Sequence, residues 1–107
     1  MTVEELTATL RTFAGERDWE QFHTPKNLSM ALAGEAGEVV AELQWLTPEQ
    51  CESLSDEQRE ALALELADVM IYLCRLADVT GIDLMAAAAR KVSINAGRFP
   101  VAPATGA

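Results

Sequence analysis

Cysteine, histidine and basic residues are scarce in this sequence. Its 107 residues include two cysteines and one histidine, and 8 Lys+Arg stand against 17 Asp+Glu, for a formal net charge of −9. Two cysteines are too few for a disulfide framework, and they lack the clustered partners of a zinc site. The acidic surplus would repel a phosphate backbone, which excludes non-specific nucleic-acid binding through a basic face.

Long apolar runs are lacking as well. No purely apolar run is longer than residues 84–89, which is far too short to span a membrane. The first residues, MTVEEL, carry acids where a signal peptide would carry basic side chains. Hydrophobic residues make up 50% of the chain, which is enough for the core of one domain. We therefore expect a soluble, cytoplasmic protein with no membrane partner and a single domain over residues 1–107.

Helix signals, by contrast, run through almost the whole sequence, and strand patterns are nearly absent. Caps and breakers predict helices over residues 2–17, 28–45, 55–81 and 83–96, a short extra turn at 47–50, and a frayed tail from about 101. Short connections favour antiparallel neighbours, so the expected fold is all-α, an antiparallel four-helix bundle. The apolar faces that one such bundle leaves uncovered predict a homodimer or a higher symmetric oligomer.

Glu35 falls on the apolar side of the predicted second helix. At about 100° per residue, Val39 and Leu32 lie about 40° and 60° to one side of it. Glu42 and Glu38 lie about 20° and 60° to the other side. Three carboxylates therefore share one edge of the surface that faces the core.

The third long helix repeats this arrangement around Glu65. Leu76 and Val69 fall about 20° and 40° to one side of it, while Tyr72 and Asp68 fall about 20° and 60° to the other. Two such acid sets facing each other would repel, by about 4 kcal/mol for two charges 4 Å apart at an effective dielectric constant of about 20. A bound divalent cation would remove this repulsion, so we favour a metal site over a solvated acidic face.

The ligand type narrows the choice of metal. Hard carboxylate oxygens suit Mg²⁺, with Mn²⁺ as a possible substitute. A di-iron bundle would need Glu-x-x-His on two helices, whereas the single histidine, His23, lies in a predicted loop. The alternative from another functional class is a non-catalytic helical module that presents its acids on outer helix faces to a basic partner.

At this point the sequence resembles a known family. The segments GEAGE (34–38) and ELADV (65–69) are similar to the paired E-x-x-E and E-x-x-D signature of the MazG-like all-α nucleoside triphosphate pyrophosphohydrolases. The resemblance is greatest to the dCTP pyrophosphatase branch, through ERDWEQFH (16–23), AELQW (41–45) and residues 91–100, which include Ile94-Asn95 and end in Arg98-Phe99-Pro100. Ser93 and the pair Ala96-Gly97 depart from that pattern and bear on which nucleotide is preferred.

The resemblance implies Mg²⁺-dependent cleavage of a nucleoside triphosphate between its α and β phosphates, which yields a nucleoside monophosphate and pyrophosphate. The substrate would be dCTP-like or a modified pyrimidine deoxynucleotide, with a broader, purine-directed or phosphoribosyl-ATP-type activity as the alternative. Members of the family are commonly dimers or tetramers that share sites between protomers.

The resemblance also implies a role for each matching residue. The residues that match metal ligands are Glu35, Glu38, Glu65 and Asp68; those near the base and sugar are Trp19, His23, Trp45 and Tyr72; and the polar positions that meet the substrate are Lys91, Asn95 and Arg98. A carboxylate that the metal engages incompletely can activate the attacking water. Glu38 is our first choice for that role and Glu35 the second, since spacing does not separate them.

Overall fold

The chain forms five helices joined by short connections. The computed structural model describes residues 1–102. Its helices are α1 (Val3–Glu16), α2 (Pro25–Leu43), α3 (Pro48–Glu52), α4 (Asp56–Thr80) and α5 (Leu84–Arg98). No strand occurs in the described part of the chain, which confirms the all-α prediction, and α3 is the predicted short extra turn.

Side-chain caps begin four of these helices where the sequence predicts them. Thr2 Oγ1 accepts a hydrogen bond of 3.1 Å from an amide in the first turn of α1, and Asp83 caps α5 in the same way. Thr47 and Ser55 head reciprocal capping boxes at the starts of α3 and α4. Gly81 ends α4 with φ = 70°, a left-handed conformation that glycine adopts without strain.

The boundaries of α2 differ from the prediction. It begins at Pro25 instead of near residue 28, because Thr24 caps it and accepts a hydrogen bond of 3.2 Å from the amide of Asn27. Proline suits this first turn, where its missing N–H would have no helical partner. The helix also ends earlier, so that Trp45 lies in the turn beyond it.

Three of the five helices pack together, and α5 packs closely against none of them. α2 lies along α4, and α1 packs against α4 less extensively. The fully buried apolar residues are few: Ala14, Leu28, Cys74 and Ala77. α5 contributes no buried residue. The radius of gyration is 18.0 Å, whereas a compact chain of this length would have about 13 Å.

A single chain therefore leaves much apolar surface uncovered. Trp45 is 87% exposed, and Val92 and Phe99 are each 69% exposed. The antiparallel four-helix bundle stays a prediction, because within residues 1–102 only α1 and α2 pack extensively against α4. The single domain over residues 1–107 is likewise a prediction, and most of the expected tail, residues 103–107, lies outside the described residues. No helix in residues 1–102 combines the length and the apolar character needed to cross a bilayer.

Candidate active site

Three carboxylates meet where α2 lies along α4. One oxygen each of Glu35, Glu65 and Asp68 lies within 4.8 Å of the other two. Glu35 comes from α2, and the other two come from successive turns of α4. Glu35 and Glu65 are both half-buried, as their positions on the apolar sides of their helices require.

The acid cluster extends beyond these three residues. Burial raises the pKa of Glu65 above its ordinary value, and the negative charges of Glu38, Asp68, Glu35 and Glu42 raise it further, in that order of strength. The charges of Glu38 and Glu42 therefore also act on Glu65, although these two residues lie outside the closest group, which consists of Glu35, Glu65 and Asp68. We use the name acid cluster for these five residues.

The acid cluster fits a hard divalent cation. Its closest group offers only carboxylate oxygens, the donors that Mg²⁺ and Mn²⁺ prefer, from two helices that are packed together. The repulsion that raises the pKa of Glu65 is also what a bound cation would relieve. Glu35, Glu38, Glu65 and Asp68 are the residues of this chain that could hold such an ion.

An aromatic cavity adjoins the acid cluster along α4. Tyr72 lies one turn after Asp68, and it lines a cavity of about 200 Å³ together with Trp19 and His23 from the α1–α2 loop. The other lining residues are Leu10, Phe13, Ala14, Ile71 and Arg75. Phe13 packs edge-on against Trp19, with ring centroids 5.5 Å apart. The structure thus brings three of the four predicted base-contacting residues together.

His23 is oriented by a residue that the sequence analysis missed. Arg75 donates a hydrogen bond of 3.0 Å from Nε to Nδ1 of His23, and its Nη1 lies 3.2 Å from Oδ2 of Asp78. Arg75 is buried, with only 6% of its surface exposed. Burial of His23, together with the nearby charge of Arg75, lowers the pKa of the imidazole. Arg75 and Asp78 form a charged pair at i and i+3 in the apolar segment after Tyr72. This pair is the sequence signal that could have indicated both residues.

The remaining predicted site residues lie away from the acid cluster and the cavity. Trp45 is almost fully exposed beyond the end of α2. Lys91, Asn95 and Arg98 lie on α5, which packs closely against no other helix of the same chain, and none of them lines the aromatic cavity. The guanidinium of Arg98 lies 5.2 Å from the ring centroid of Phe99.

Comparisons with known proteins give matches over most of the chain. Residues 23–100 match the MazG nucleotide pyrophosphohydrolase domain, a range that contains the acid cluster and His23. The chain is 45% identical over 101 residues to human dCTP pyrophosphatase 1, covering 92% of this chain and 59% of the relative. It is 43% identical to the cattle protein of the same name, covering 94% of this chain and 60% of the relative. The chain thus spans about three fifths of the length of these curated relatives.

A solved structure shows the same fold. The crystal structure of a pyrophosphatase from Archaeoglobus fulgidus superposes with a TM-score of 0.86 at 34% sequence identity, and the match covers 92% of each chain. The domain match spans well over half of the residues, and the helices follow those of a related enzyme. The chain belongs to the family of MazG nucleotide pyrophosphohydrolases.

Proposed function

We propose that this protein is a Mg²⁺-dependent pyrophosphohydrolase that cleaves dCTP-like or modified pyrimidine deoxynucleoside triphosphates between the α and β phosphates. The observation that carries the proposal is the meeting of Glu35, Glu65 and Asp68 beside an aromatic cavity. Membership of the family and the names of the similar proteins support the same reaction. A cytoplasmic location, in contact with the nucleotide pool, is part of the proposal.

The acid cluster has to receive an anionic substrate on an acidic chain. A divalent cation held by Glu35, Glu38, Glu65 and Asp68 would neutralise the phosphates and withdraw charge from the phosphoryl group under attack. Because the ligands come from both α2 and α4, their positions are fixed by the packing of these two helices. The closest part of the cluster is thereby organised before the substrate arrives.

Glu38 is the residue that we propose acts on the attacking water. It lies outside the closest group of three but near enough to be the strongest of the charges that raise the pKa of Glu65. Its side chain is exposed, whereas Glu35 is half-buried in the closest group. Glu38 would accept a proton from water as the water oxygen bonds to the α-phosphorus. The bond from that phosphorus to the bridging oxygen then breaks, and pyrophosphate leaves with this oxygen.

The aromatic cavity would hold the base. Trp19 and Tyr72 offer ring faces for stacking, and His23 offers a polar edge. A cavity of about 200 Å³ has room for the ring of a pyrimidine. Tyr72, one helical turn from Asp68, would set the distance between the base and the phosphates.

A second copy of the chain would complete the site, as a homodimer or homotetramer. α5 carries Lys91 and Arg98 and no acidic residue, so its charge complements both a triphosphate and the acid cluster. Its own chain leaves it without a close partner, and Trp45 is exposed in the same way. We infer that Lys91, Asn95, Arg98 and Trp45 reach the substrate bound to the neighbouring protomer.

The test of the reaction is a panel of canonical and modified ribo- and deoxynucleoside triphosphates with Mg²⁺, in which pyrophosphate is resolved from orthophosphate. We expect pyrophosphate and a nucleoside monophosphate in equal amounts, with dCTP or a modified pyrimidine turned over fastest. Glu60→Gln, an exposed acid of α4 outside the acid cluster, is the matched control for substitutions inside it. Release of orthophosphate, or equal turnover of purines, would contradict the proposed reaction or its specificity.

The shared site has a separate test. Glu38→Gln and Arg98→Ala, each inactive alone, would form one intact site when the two chains are mixed, because each variant supplies the residue that the other lacks. We expect the mixture to recover part of the wild-type activity and sedimentation to show a dimer or tetramer. A monomer, or a mixture that stays inactive, would contradict sharing of the site.

A further inference from the structure

The single histidine of the chain meets a positively charged donor. Nδ1 of His23 lies 3.0 Å from Nε of Arg75, whose guanidinium is buried. A guanidinium carries only N–H donors and has no acceptor. Nδ1 must therefore be the unprotonated nitrogen, and a neutral ring then carries its proton on Nε2.

Further hydrogen bonds fix both Arg75 and His23 in position. Arg75 is anchored by Asp78, which also accepts hydrogen bonds of 2.7 and 3.0 Å from Arg11 of α1. The backbone amide of His23 bonds to the carbonyl oxygens of Trp19 and Glu20 at 3.1 and 3.2 Å. The imidazole and its partner thus both have fixed positions.

Nε2 of His23 is free to meet a ligand. Within residues 1–102 no group hydrogen-bonds to it, and no buried side-chain nitrogen or oxygen is left without a partner. This nitrogen is therefore accessible on a ring that lines the aromatic cavity. The polar atom that this ring leaves unpaired is an N–H donor.

We propose that Arg75 is a positioning residue that fixes His23 as a neutral ring with its proton on Nε2, so that the cavity offers a donor to an acceptor atom of the base. The acceptor would be a carbonyl oxygen or an unprotonated ring nitrogen. The use of this donor in catalysis rests on the function proposed above, whereas the state of the ring does not.

The groups around the ring define how its protonation is controlled. Arg75 on α4 is the charged group in contact with it, Asp78 and Arg11 lie behind Arg75, and Tyr72 shares the cavity. A second proton on His23 would have to enter at Nδ1 against the guanidinium. Replacing Arg75 with an apolar residue removes that obstacle, so the imidazole should gain its second proton at a higher pH.

The decisive measurement is nitrogen NMR on protein labelled with ¹⁵N-histidine, because one histidine gives one set of ring signals. At neutral pH we expect a protonated Nε2 and an unprotonated Nδ1, and a midpoint for ring protonation below the ordinary histidine value. In Arg75→Met the midpoint should rise, and Arg75→Lys, which keeps a charged donor, should restore much of the wild-type behaviour. A proton on Nδ1 in the wild type, or an unchanged midpoint in Arg75→Met, would overturn the proposal.

Ligand titrations test the donor. Addition of dCMP should shift the Nε2–H signal, while deoxyribose 5-phosphate, which lacks the base, should leave it in place. In kinetics with dCTP, Arg75→Met should raise KM about tenfold with a much smaller change in kcat, as expected for a lost hydrogen bond to the base. An Nε2–H signal that dCMP leaves unmoved would overturn the assignment of the donor.

Arg11→Gln separates positioning from stability. This substitution weakens the hydrogen bonds from residue 11 to Asp78 but leaves the hydrogen bond between Arg75 and His23. It should therefore lower Tm without changing the protonation midpoint of His23 or the KM for dCTP. If Arg11→Gln reproduced the effects of Arg75→Met, the role of Arg75 would be structural and the proposal would fail. If the NMR results are as expected but no nucleotide is turned over, the proposed function fails. The protonation state of the His23 ring would still be established.

Discussion

Arg11 of α1 donates hydrogen bonds to both carboxylate oxygens of Asp78 of α4, with Nη2–Oδ1 and Nε–Oδ2 distances of 2.7 and 3.0 Å. The side chain of Arg11 is 59% exposed and that of Asp78 only 16%. Asp78 also accepts a hydrogen bond from the buried Arg75. One carboxylate therefore ties α1 to α4 and neutralises the arginine that orients His23.

Asp78→Ala should destabilise the protein more than Arg11→Gln. An exposed ion pair contributes little, but loss of Asp78 also leaves the buried Arg75 without its carboxylate, at a cost of about 1–3 kcal/mol. We expect a fall in Tm of roughly 5–15 °C for Asp78→Ala and a smaller one for Arg11→Gln. Thermal unfolding followed by circular dichroism measures both, and equal losses would show that Arg75 does not depend on Asp78.

The contribution of Asp78 should depend on pH. The hydrogen bond and charge of Arg11, aided by the charge of Arg75, hold the pKa of Asp78 below its ordinary value of 3.8. The stabilisation is therefore complete above pH 3.8 and is lost as the pH falls through the lower value of the folded state. The difference in Tm between the wild type and Asp78→Ala should stay constant from pH 7 to pH 5 and narrow in stronger acid. A difference that does not change with pH would contradict this linkage.

Glu65→Gln should stabilise the metal-free protein. The pKa of Glu65 is raised in the folded state, so its charged form opposes folding at every pH above that raised value. We expect a higher Tm than for the wild type in a chelating buffer at pH 7, with a difference that shrinks as the pH is lowered toward 4.5, where both states of the wild type become protonated. Glu60→Gln, on the same helix, should leave Tm unchanged. A lower Tm for Glu65→Gln would contradict the repulsion.

Mg²⁺ should raise the Tm of the wild type above that of Glu65→Gln, which reverses their order in a chelating buffer. An ion that binds only the folded acid cluster stabilises it by about 2.7 kcal/mol at a hundredfold excess over its Kd. The wild type and Glu60→Gln should gain this stability, with Mn²⁺ acting similarly, while Glu65→Gln should gain much less. A wild-type Tm that responds to neither ion would count heavily against the metal site.

Glu38→Gln should separate metal binding from catalysis. Because Glu35, Glu65 and Asp68 keep their carboxylates and glutamine keeps one oxygen donor at position 38, much of the increase in Tm with Mg²⁺ should remain. The kcat should fall by about 10²- to 10⁴-fold, because the attacking water loses its base. Pyrophosphate release measures the rate, and substantial residual activity would transfer the role of base to Glu35.

Trp19→Ala should weaken substrate binding with little effect on folding. Trp19 is 42% exposed and lines the cavity beside Phe13 and His23. Loss of one stacking face is worth about 1–3 kcal/mol, so KM for dCTP should rise about tenfold or more. Trp19→Phe, which keeps a ring face, should recover part of the affinity. An unchanged KM in the alanine variant would place Trp19 among the structural residues.

Helical periodicity was sufficient to predict the acid cluster. Once α2 and α4 are helices, Glu35 and Glu65 must lie on their apolar sides, and the two helices then bring the carboxylates together. The same capping rules predicted the start of α3 from Thr47 and Pro48. Thr24 and Pro25 are the same dipeptide, yet the aromatic loop before them obscured the start of α2.

Other features depend on contacts that one sequence does not reveal. The two hydrogen bonds between Arg11 and Asp78 join residues 67 positions apart, and the one between Arg75 and His23 joins residues 52 positions apart. No local pattern pairs such residues, because the packing of whole helices decides which charges meet. The surroundings proposed for Lys91, Asn95 and Arg98 lie on a second copy of the chain.

The exposure of α5 has a consequence for how the protein folds. A helix of 15 residues that buries none of them has little to hold it in water, because isolated helices of about 12–15 residues are marginally stable. In the proposed oligomer its order would come from association, which would tie the folding of this helix to the concentration of the chain. A newly synthesised copy would then complete its structure only on meeting another, and dilution would unfold and inactivate the protein together.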